Sequence, residues 1–262
     1  MANRLQNKVV LVTGSTTGVG EAAARLCVAE GARVMVHGLE EEWAKAVCAE
    51  LGEASASYFI ADIGDPENCA KLVEATVARH GGLDAVVNNA ALTTRSTLES
   101  TDAAFFDRMI SVNLRAPLLI IKAAVPEFRK RGGGTVVNIG SVNALAGQPN
   151  LLDYSISKGG LATMTRNLAN ALATERIRIN QLNLGWVASR NEIALKIREG
   201  LPEGWNRNLP PHLAPRGYIL EPHEVASHVV FWLSDDSAPA NGVVYELEQY
   251  SVIGRNFPKT SL

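Results

Sequence analysis

Short continuous apolar runs alternate along this chain with longer stretches whose apolar residues recur every three or four positions. The runs predict strands over 9–12, 33–36, 58–61, 85–87, 135–139, 177–182 and 243–247. The recurring stretches predict helices over 19–30, 41–51, 66–80, 102–130, 152–174 and 222–234. The first carries Val19, Ala22, Ala23, Leu26 and Cys27 on one stripe, and Gly31 ends it. Uninterrupted apolar strands separated by helices imply a parallel sheet covered on both faces, an α/β fold. No repeat, low-complexity tract or linker divides residues 1–262, so one domain is expected. The one irregular stretch, about 188–220, holds Pro202, Pro210, Pro211 and Pro215. A loop that long inside a compact domain predicts a substrate lid.

Composition adds exclusions. A formal net charge of −2 over 262 residues gives no electrostatic reason for nucleic-acid or membrane binding. There is no run of eighteen apolar residues to make a transmembrane helix. The first eight residues lack the apolar stretch of a signal peptide, so a cytoplasmic protein is expected. Cys27, Cys48 and Cys69 are widely spaced, form no metal-type pair and read as buried reduced thiols. His37, His80, His212, His223 and His228 show no ligand spacing, and no metal is expected. Of these, His212 sits in the predicted lid, within reach of substrate.

The candidate chemistry lies elsewhere. Tyr154 and Lys158 are four residues apart in a predicted helix and share a face. A phenol with a pKa near 10 is a poor acid or base at neutral pH, and a neighbouring cation lowers that value. A tyrosine tuned this way can exchange a proton with a substrate oxygen. Ser141, thirteen residues upstream, can hold the same oxygen. Near the N-terminus, Gly14-Ser15-Thr16-Thr17-Gly18-Val19-Gly20 follows a strand and opens a helix. In that context glycines admit a pyrophosphate to the helix amides. The spacing is G-x-x-x-G-x-G, and alone it also fits an ordinary flexible turn. Likewise, Tyr154 and Lys158 alone would fit a solvated helix surface.

Together these motifs resemble the short-chain dehydrogenase/reductase family, classical type. The resemblance runs from about Lys8 to Glu248. It rests on Thr13-Gly14-x-x-x-Gly18-x-Gly20, Asp62, Asn88-Asn89-Ala90-Ala91, Asn113, Ser141, Tyr154-Ser155-Ile156-Ser157-Lys158 and Leu184-Gly185-Trp186-Val187. It implies a Rossmann-like doubly wound sheet in the order 3-2-1-4-5-6-7 and an NAD(P)-dependent oxidoreductase acting on a secondary alcohol or ketone. Tyr154 would be the general acid/base. Lys158 would lower its pKa and hold the nicotinamide ribose, and Ser141 would polarise the carbonyl. Asn113 would anchor the proton relay behind Lys158. Asp62 and Ile63 would meet the adenine, Asn89 and Ala90 the adenosine ribose. Gly185 and Val187, with Ser189 where threonine is usual, would lie against the nicotinamide carboxamide.

The chain departs from the family pattern at several places. Ala91 replaces a glycine, tolerable unless a positive φ is needed there. Leu184 stands where proline is usual. Glu248-Gln249-Tyr250 replaces the usual Asp-Gly-Gly and is followed by a tail to Leu262, within which Tyr250 and Arg255 are candidates for pocket or subunit contacts. Cofactor choice turns on His37-Gly38-Leu39-Glu40. Position 38 lacks the carboxylate that selects NAD. Thr17 and Leu39 lack the arginine that clamps the phosphate of NADP. Gly38 leaves room for a phosphate, but Glu40, Glu41 and Glu42 surround it with negative charge. The balance favours NAD over NADP.

Substrate identity is the least legible part. Asn143, Ala144, Gln148, Trp186, Arg190 and Asn191 are expected to form the substrate wall with the lid. Amides, an arginine and an indole suggest a polar substrate: a polyol, a sugar derivative or a hydroxy acid. Alternatives are a 3-oxoacyl-thioester reductase and a nucleotide-binding sensor without chemistry. Gly159 and Gly160, and the apolar surplus of the 102–130 helix, predict helix packing across a subunit interface. A homotetramer, or at least a dimer, is expected.

Overall fold

The computed structural model describes residues 3–252. Seven parallel strands form one sheet, ordered β3-β2-β1-β4-β5-β6-β7. They are β1 (Val9–Val12), β2 (Arg33–Gly38), β3 (Ala56–Ile60), β4 (Ala85–Asn88), β5 (Gly134–Ser141), β6 (Ile177–Leu184) and β7 (Val244–Leu247). The chain order reverses between β1 and β4, where Val10 pairs with Ala85 and Val12 with Val87. In an open α/β sheet such a reversal opens a crevice beyond the carboxyl ends of the strands.

Helices cover both faces. On one face α1 (Gly18–Ala29), α2 (Glu41–Leu51) and α9 (Pro222–Leu233) close a core containing Val10, Val12, Val34 and Val36. On the other, α3 (Pro66–His80), α5 (Ala116–Arg131) and α7 (Leu152–Leu172) close a core containing Val9, Leu11, Val86, Phe128 and Ile179, and the one-turn α6 (Asn143–Ala146) follows β5. Alternate strand residues feed alternate cores, the period-two rule of a strand buried on both sides. Local signals set the helix ends. Asp65 accepts from the Glu67 amide to begin α3 at Pro66, and Gly81 ends it with φ 80°.

The single helix expected over 102–130 is two. A π-helical turn, Ser111–Arg115, separates α4 (Ala103–Ile110) from α5. Such turns relax the backbone ladder and often mark functional positions; this one carries Asn113. The stretch Ala103–Arg131 is long and apolar enough to cross a membrane by composition, but 56% of its most apolar eighteen-residue window is buried, as in a core helix.

The subunit-interface reading of the two glycines also changes. A Cβ at Gly160 would stand 2.8 Å from Leu114 Cδ2 of the same chain, so close packing against the π turn explains that glycine. Gly159 makes only an ordinary approach to the Ala144 carbonyl.

The 188–220 stretch is not irregular throughout. It contains α8 (Arg190–Arg198) and its own small core of Ala188, Trp205 and Ile219, with Trp186 packed against it. The chain just after β7 fastens it from outside. Gln249 Nε2 donates to the Tyr218 carbonyl, the Arg216 amide donates to Gln249 Oε1, and the Tyr250 hydroxyl donates to the Pro211 carbonyl. Arg255 lies outside the described residues.

Candidate active site

The carboxyl ends of β1, β2, β4, β5 and β6 open into one cleft of about 950 Å³, ample for a dinucleotide and a small substrate. Its β1–β2 end is the glycine turn. Gly14 and Gly18 hold φ values of 61° and 60°, left-handed conformations that glycine adopts without strain. Gly20 is required for a different reason: a Cβ there would collide with the Gly14 carbonyl. Asn89 Nδ2 donates to the Thr13 and Gly14 carbonyls and clamps the turn to β4. Gly14, Thr16, Thr17, Gly18 and Val19 line the cleft. Ser15 and Gly20, expected to touch cofactor, do not line it. Ser15 is fully buried, donating to the Val12 carbonyl and accepting from the His37 amide. Thr17 caps α1 with no side-chain hydrogen bond of its own. First-turn amides of α1 therefore face the cleft beside side-chain-free glycines, which fits a dinucleotide phosphate.

His37 is a buried part of this frame. Its Nδ1 accepts from the Gly14 amide at 3.2 Å, and Nε2–H donates to the Ala61 carbonyl at 3.0 Å. Burial pushes its pKa down to about 4, so the ring is neutral and has no free donor for a phosphate. Gly38 is closed on one side, since a Cβ there would stand 2.5 Å from Thr16 Cγ2. Leu39 is 58% exposed at the rim. Asp62, Ile63, Asn89 and Ala90 all line this end. The Asp62 carboxylate accepts from the Gly64 amide and pairs with Arg108 at 2.8 Å. Ala91 has no positive φ, so its methyl costs no backbone strain.

The other end holds the candidate chemistry. Ser141 is the last residue of β5; Tyr154 and Lys158 lie in the first two turns of α7. All three line the cleft. The Ser141 hydroxyl lies beside the Tyr154 phenol and favours its ionised form. Lys158 Nζ donates to the Ile139 carbonyl at 2.7 Å and sits 5.6 Å from the Tyr154 ring centroid. The expected lowering of the phenol pKa is not what the protein alone produces. Burial pushes Tyr154 up to about 12; Ser141 opposes this and the Glu192 charge reinforces it. Desolvation dominates at Tyr154, and the same burial lowers the pKa of Lys158 to about 8. At neutral pH the site thus holds a protonated phenol beside an ammonium.

Asn113 does not reach the cleft. It is 1% exposed, and its amide bridges the Leu92 backbone in both directions and donates to Ser157 Oγ. Ser157 in turn donates to the Tyr154 carbonyl. Asn113 therefore positions α7 and the 92 loop.

Of the expected substrate wall, Asn143, Gln148, Trp186 and Asn191 line the cleft with Gly185, Val187 and Ser189. Arg190 does not. It is exposed, because the first turn of α8 directs it outward. Ala144 and His212 also lie outside the lining. Besides Lys158, and Arg108 beside Asp62, the cations lining the cleft are Arg95, Lys196 and Arg198. Two acidic lining residues escaped the sequence reading. Glu248 Oε2 accepts from the Trp186 amide at 3.1 Å. Glu192 Oε1 accepts from the Trp186 indole at 2.9 Å. A signal for Glu192 existed: Ser189-x-x-Glu192 is a capping-box pattern that predicts a helix at 190.

A family model described as short chain dehydrogenase matches residues 8–199. The chain is 34% identical over 247 residues to dehydrogenase/reductase SDR family member 4 of Mus musculus, covering 92% of this chain and 85% of that protein. Its fold superposes on L-sorbose reductase of Gluconobacter frateurii, solved with NADPH and L-sorbose, with a TM-score of 0.88 at 23% identity over 95% and 97% of the two chains. A second likeness is to 3-ketoacyl-(acyl-carrier-protein) reductase of Brucella melitensis complexed with NADH, with a TM-score of 0.81 at 28% identity over 93% and 97%. Motifs, sheet order, cleft and relatives agree: the chain belongs to the short chain dehydrogenase family and is an NAD(P)-dependent oxidoreductase acting on a CH–OH group.

Proposed function

We propose that this enzyme interconverts a polar secondary alcohol and its ketone, the substrate being a polyol, a sugar derivative or a hydroxy acid, with NAD preferred over NADP. The observation that carries the reading is the meeting of Ser141, Tyr154 and Lys158 in the same cleft as the glycine turn, at its opposite end. The nicotinamide, when bound, supplies or accepts the hydride. In reduction, Tyr154 Oη gives its proton to the substrate oxygen while Ser141 Oγ donates a hydrogen bond to the same oxygen. In oxidation the phenolate takes the hydroxyl proton back. Lys158 places a positive charge behind the phenol, and its bond to Ile139 fixes that charge against β5. Asn143, Gln148 and Asn191 offer the wall its amides.

The preference for NAD rests on Thr17 and Leu39, which offer no cation, on Glu40 in the lining, and on the neutral His37. Three buried free thiols fit a reducing compartment, and the cytoplasm is proposed. A homotetramer is proposed on the exposed apolar residues that remain, including Leu118 at 41%, Ile156 at 47% and Phe231 at 38%.

A second reading, a 3-oxoacyl-thioester reductase, is favoured by the apolar cavity in the lid between Leu201, Trp205, Leu209 and Leu213, which Trp186 separates from the cleft. The test is oxidation of NADH and NADPH against a carbonyl panel of ketoses, hydroxy ketones, 2-oxo acids and an acetoacetyl thioester. Turnover of hydroxylated ketones with NADH supports the first reading. Turnover of the thioester alone replaces it with the second.

A further inference from the structure

We infer that Glu192 is a substrate-specificity residue, its carboxylate accepting a hydrogen bond from a neutral hydroxyl carried on the carbon beside the reacting carbonyl; this rests on the polar-substrate reading above. Four carboxylates line the cleft: Glu40, Asp62, Glu192 and Glu248. Asp62 is taken by Arg108 and the Gly64 amide. Glu248 is taken by the amides of Trp186 and Gln249, one on each oxygen. Glu40 caps α2 at the far, β2 end. Glu192 is different. Oε1 accepts one bond, from the Trp186 indole, and among the described residues no cation pairs with the carboxylate. The natural cation, Lys196 one turn on, pairs instead with Glu199 at 2.7 Å.

The geometry of α8 aims this carboxylate. Ser189 Oγ accepts from the Glu192 amide at 3.2 Å. The Glu192 side chain does not complete the capping box, because the Ser189 amide donates to the Val187 carbonyl. The side chain turns to Trp186 and the cleft, on the Tyr154 side, where its charge acts on the phenol. A partly buried carboxylate with one oxygen that takes no bond from the described residues can accept from a donor on the substrate. An ammonium is a poor candidate, because Arg95, Lys196 and Arg198 line the same end. An anion would oppose Glu192 itself. A neutral hydroxyl meets both constraints.

The test uses two ketones of equal shape, hydroxyacetone and 2-butanone, which differ by OH against CH3, with saturating NADH and NADPH. Wild type is expected to favour hydroxyacetone in kcat/KM by about tenfold or more, the scale of one hydrogen bond to a charged group. Glu192→Gln keeps an acceptor for Trp186 and removes the charge; it should lose most of that preference, kcat/KM falling about tenfold further for hydroxyacetone than for 2-butanone. Trp186→Phe removes the indole donor and leaves the carboxylate; it should keep the preference. The inference is overturned if wild type shows no preference, if Glu192→Gln lowers both ketones equally, or if Trp186→Phe alone abolishes the preference. Preference for aminoacetone over hydroxyacetone overturns the neutral-hydroxyl assignment. Turnover of neither ketone, with turnover of the thioester, overturns the polar-substrate reading and this inference with it.

Discussion

Lys158 Nζ donates to the Ile139 carbonyl at 2.7 Å, two residues before Ser141 on the same strand. One hydrogen bond thus joins the helix that carries the phenol to the strand that carries the serine. Burial lowers the Lys158 pKa to about 8, which still leaves it charged at neutral pH. Lys158→Met removes both the tie and the charge. We expect kcat/KM to fall by about 10²-fold or more in both directions, with retained fold by circular dichroism.

Proton inventory sets the pH profile. Tyr154, raised to about 12, is protonated throughout the neutral range. Reduction needs the proton and should fall only at alkaline pH; oxidation needs the phenolate and should rise with pH. Glu192 raises the phenol pKa by charge repulsion. Removing that charge in Glu192→Gln favours the phenolate, so the oxidation limb should move to lower pH. Initial rates of both directions from pH 6 to pH 10 check it. No shift, or a shift upward, contradicts the assignment.

His37 makes a separate prediction about stability. Its pKa falls from 6.5 to about 4 on folding because the ring is buried between Gly14 and Ala61. The unfolded chain therefore binds a proton that the native state refuses between those pH values. Stability present above pH 6.5 is lost as pH falls toward 4, by up to about 3 kcal/mol. Urea unfolding of wild type against His37→Gln should show a flatter acid limb in the variant.

The cofactor end gives a test with an unequal pair. Leu39→Arg projects a cation from an exposed position, and it should shift preference toward NADP by about tenfold. Gly38→Asp, the natural way to select NAD, meets the Thr16 side chain. Alone it should weaken both cofactors. Combined with Thr16→Ala it should favour NADH. Calorimetric affinities for NADH and NADPH settle both variants.

The central strands β1, β2 and β4 were legible because each is a short apolar run buried on both faces, and the resemblance supplied the strand order. Tyr154, Lys158 and Ser141 were legible because helix periodicity and residue chemistry act locally. What the sequence concealed depends on contacts distant along the chain. Gly160 needed Leu114, forty-six positions away, to explain it. The break in the 102–130 helix had one local signal, Pro117 at the start of α5, but the apolar periodicity continues through it. Ser15 sits within the glycine turn, yet a bond to Val12 turns it inward. Arg190 looked like substrate chemistry by composition, whereas position in the first turn of α8 gives the cleft to Asn191 and Glu192. The reading of Lys158 as an acidifier of Tyr154 left out desolvation, which local spacing cannot measure.

The most direct test of the central claim is hydride transfer by Tyr154→Phe, followed as NADH oxidation with hydroxyacetone at neutral pH. The substitution removes one hydroxyl from a buried ring and leaves Ser141, Lys158 and the glycine turn in place. The account predicts unchanged NADH affinity and a loss of about 10²–10⁴-fold in kcat. Turnover in the variant close to that of wild type would contradict it.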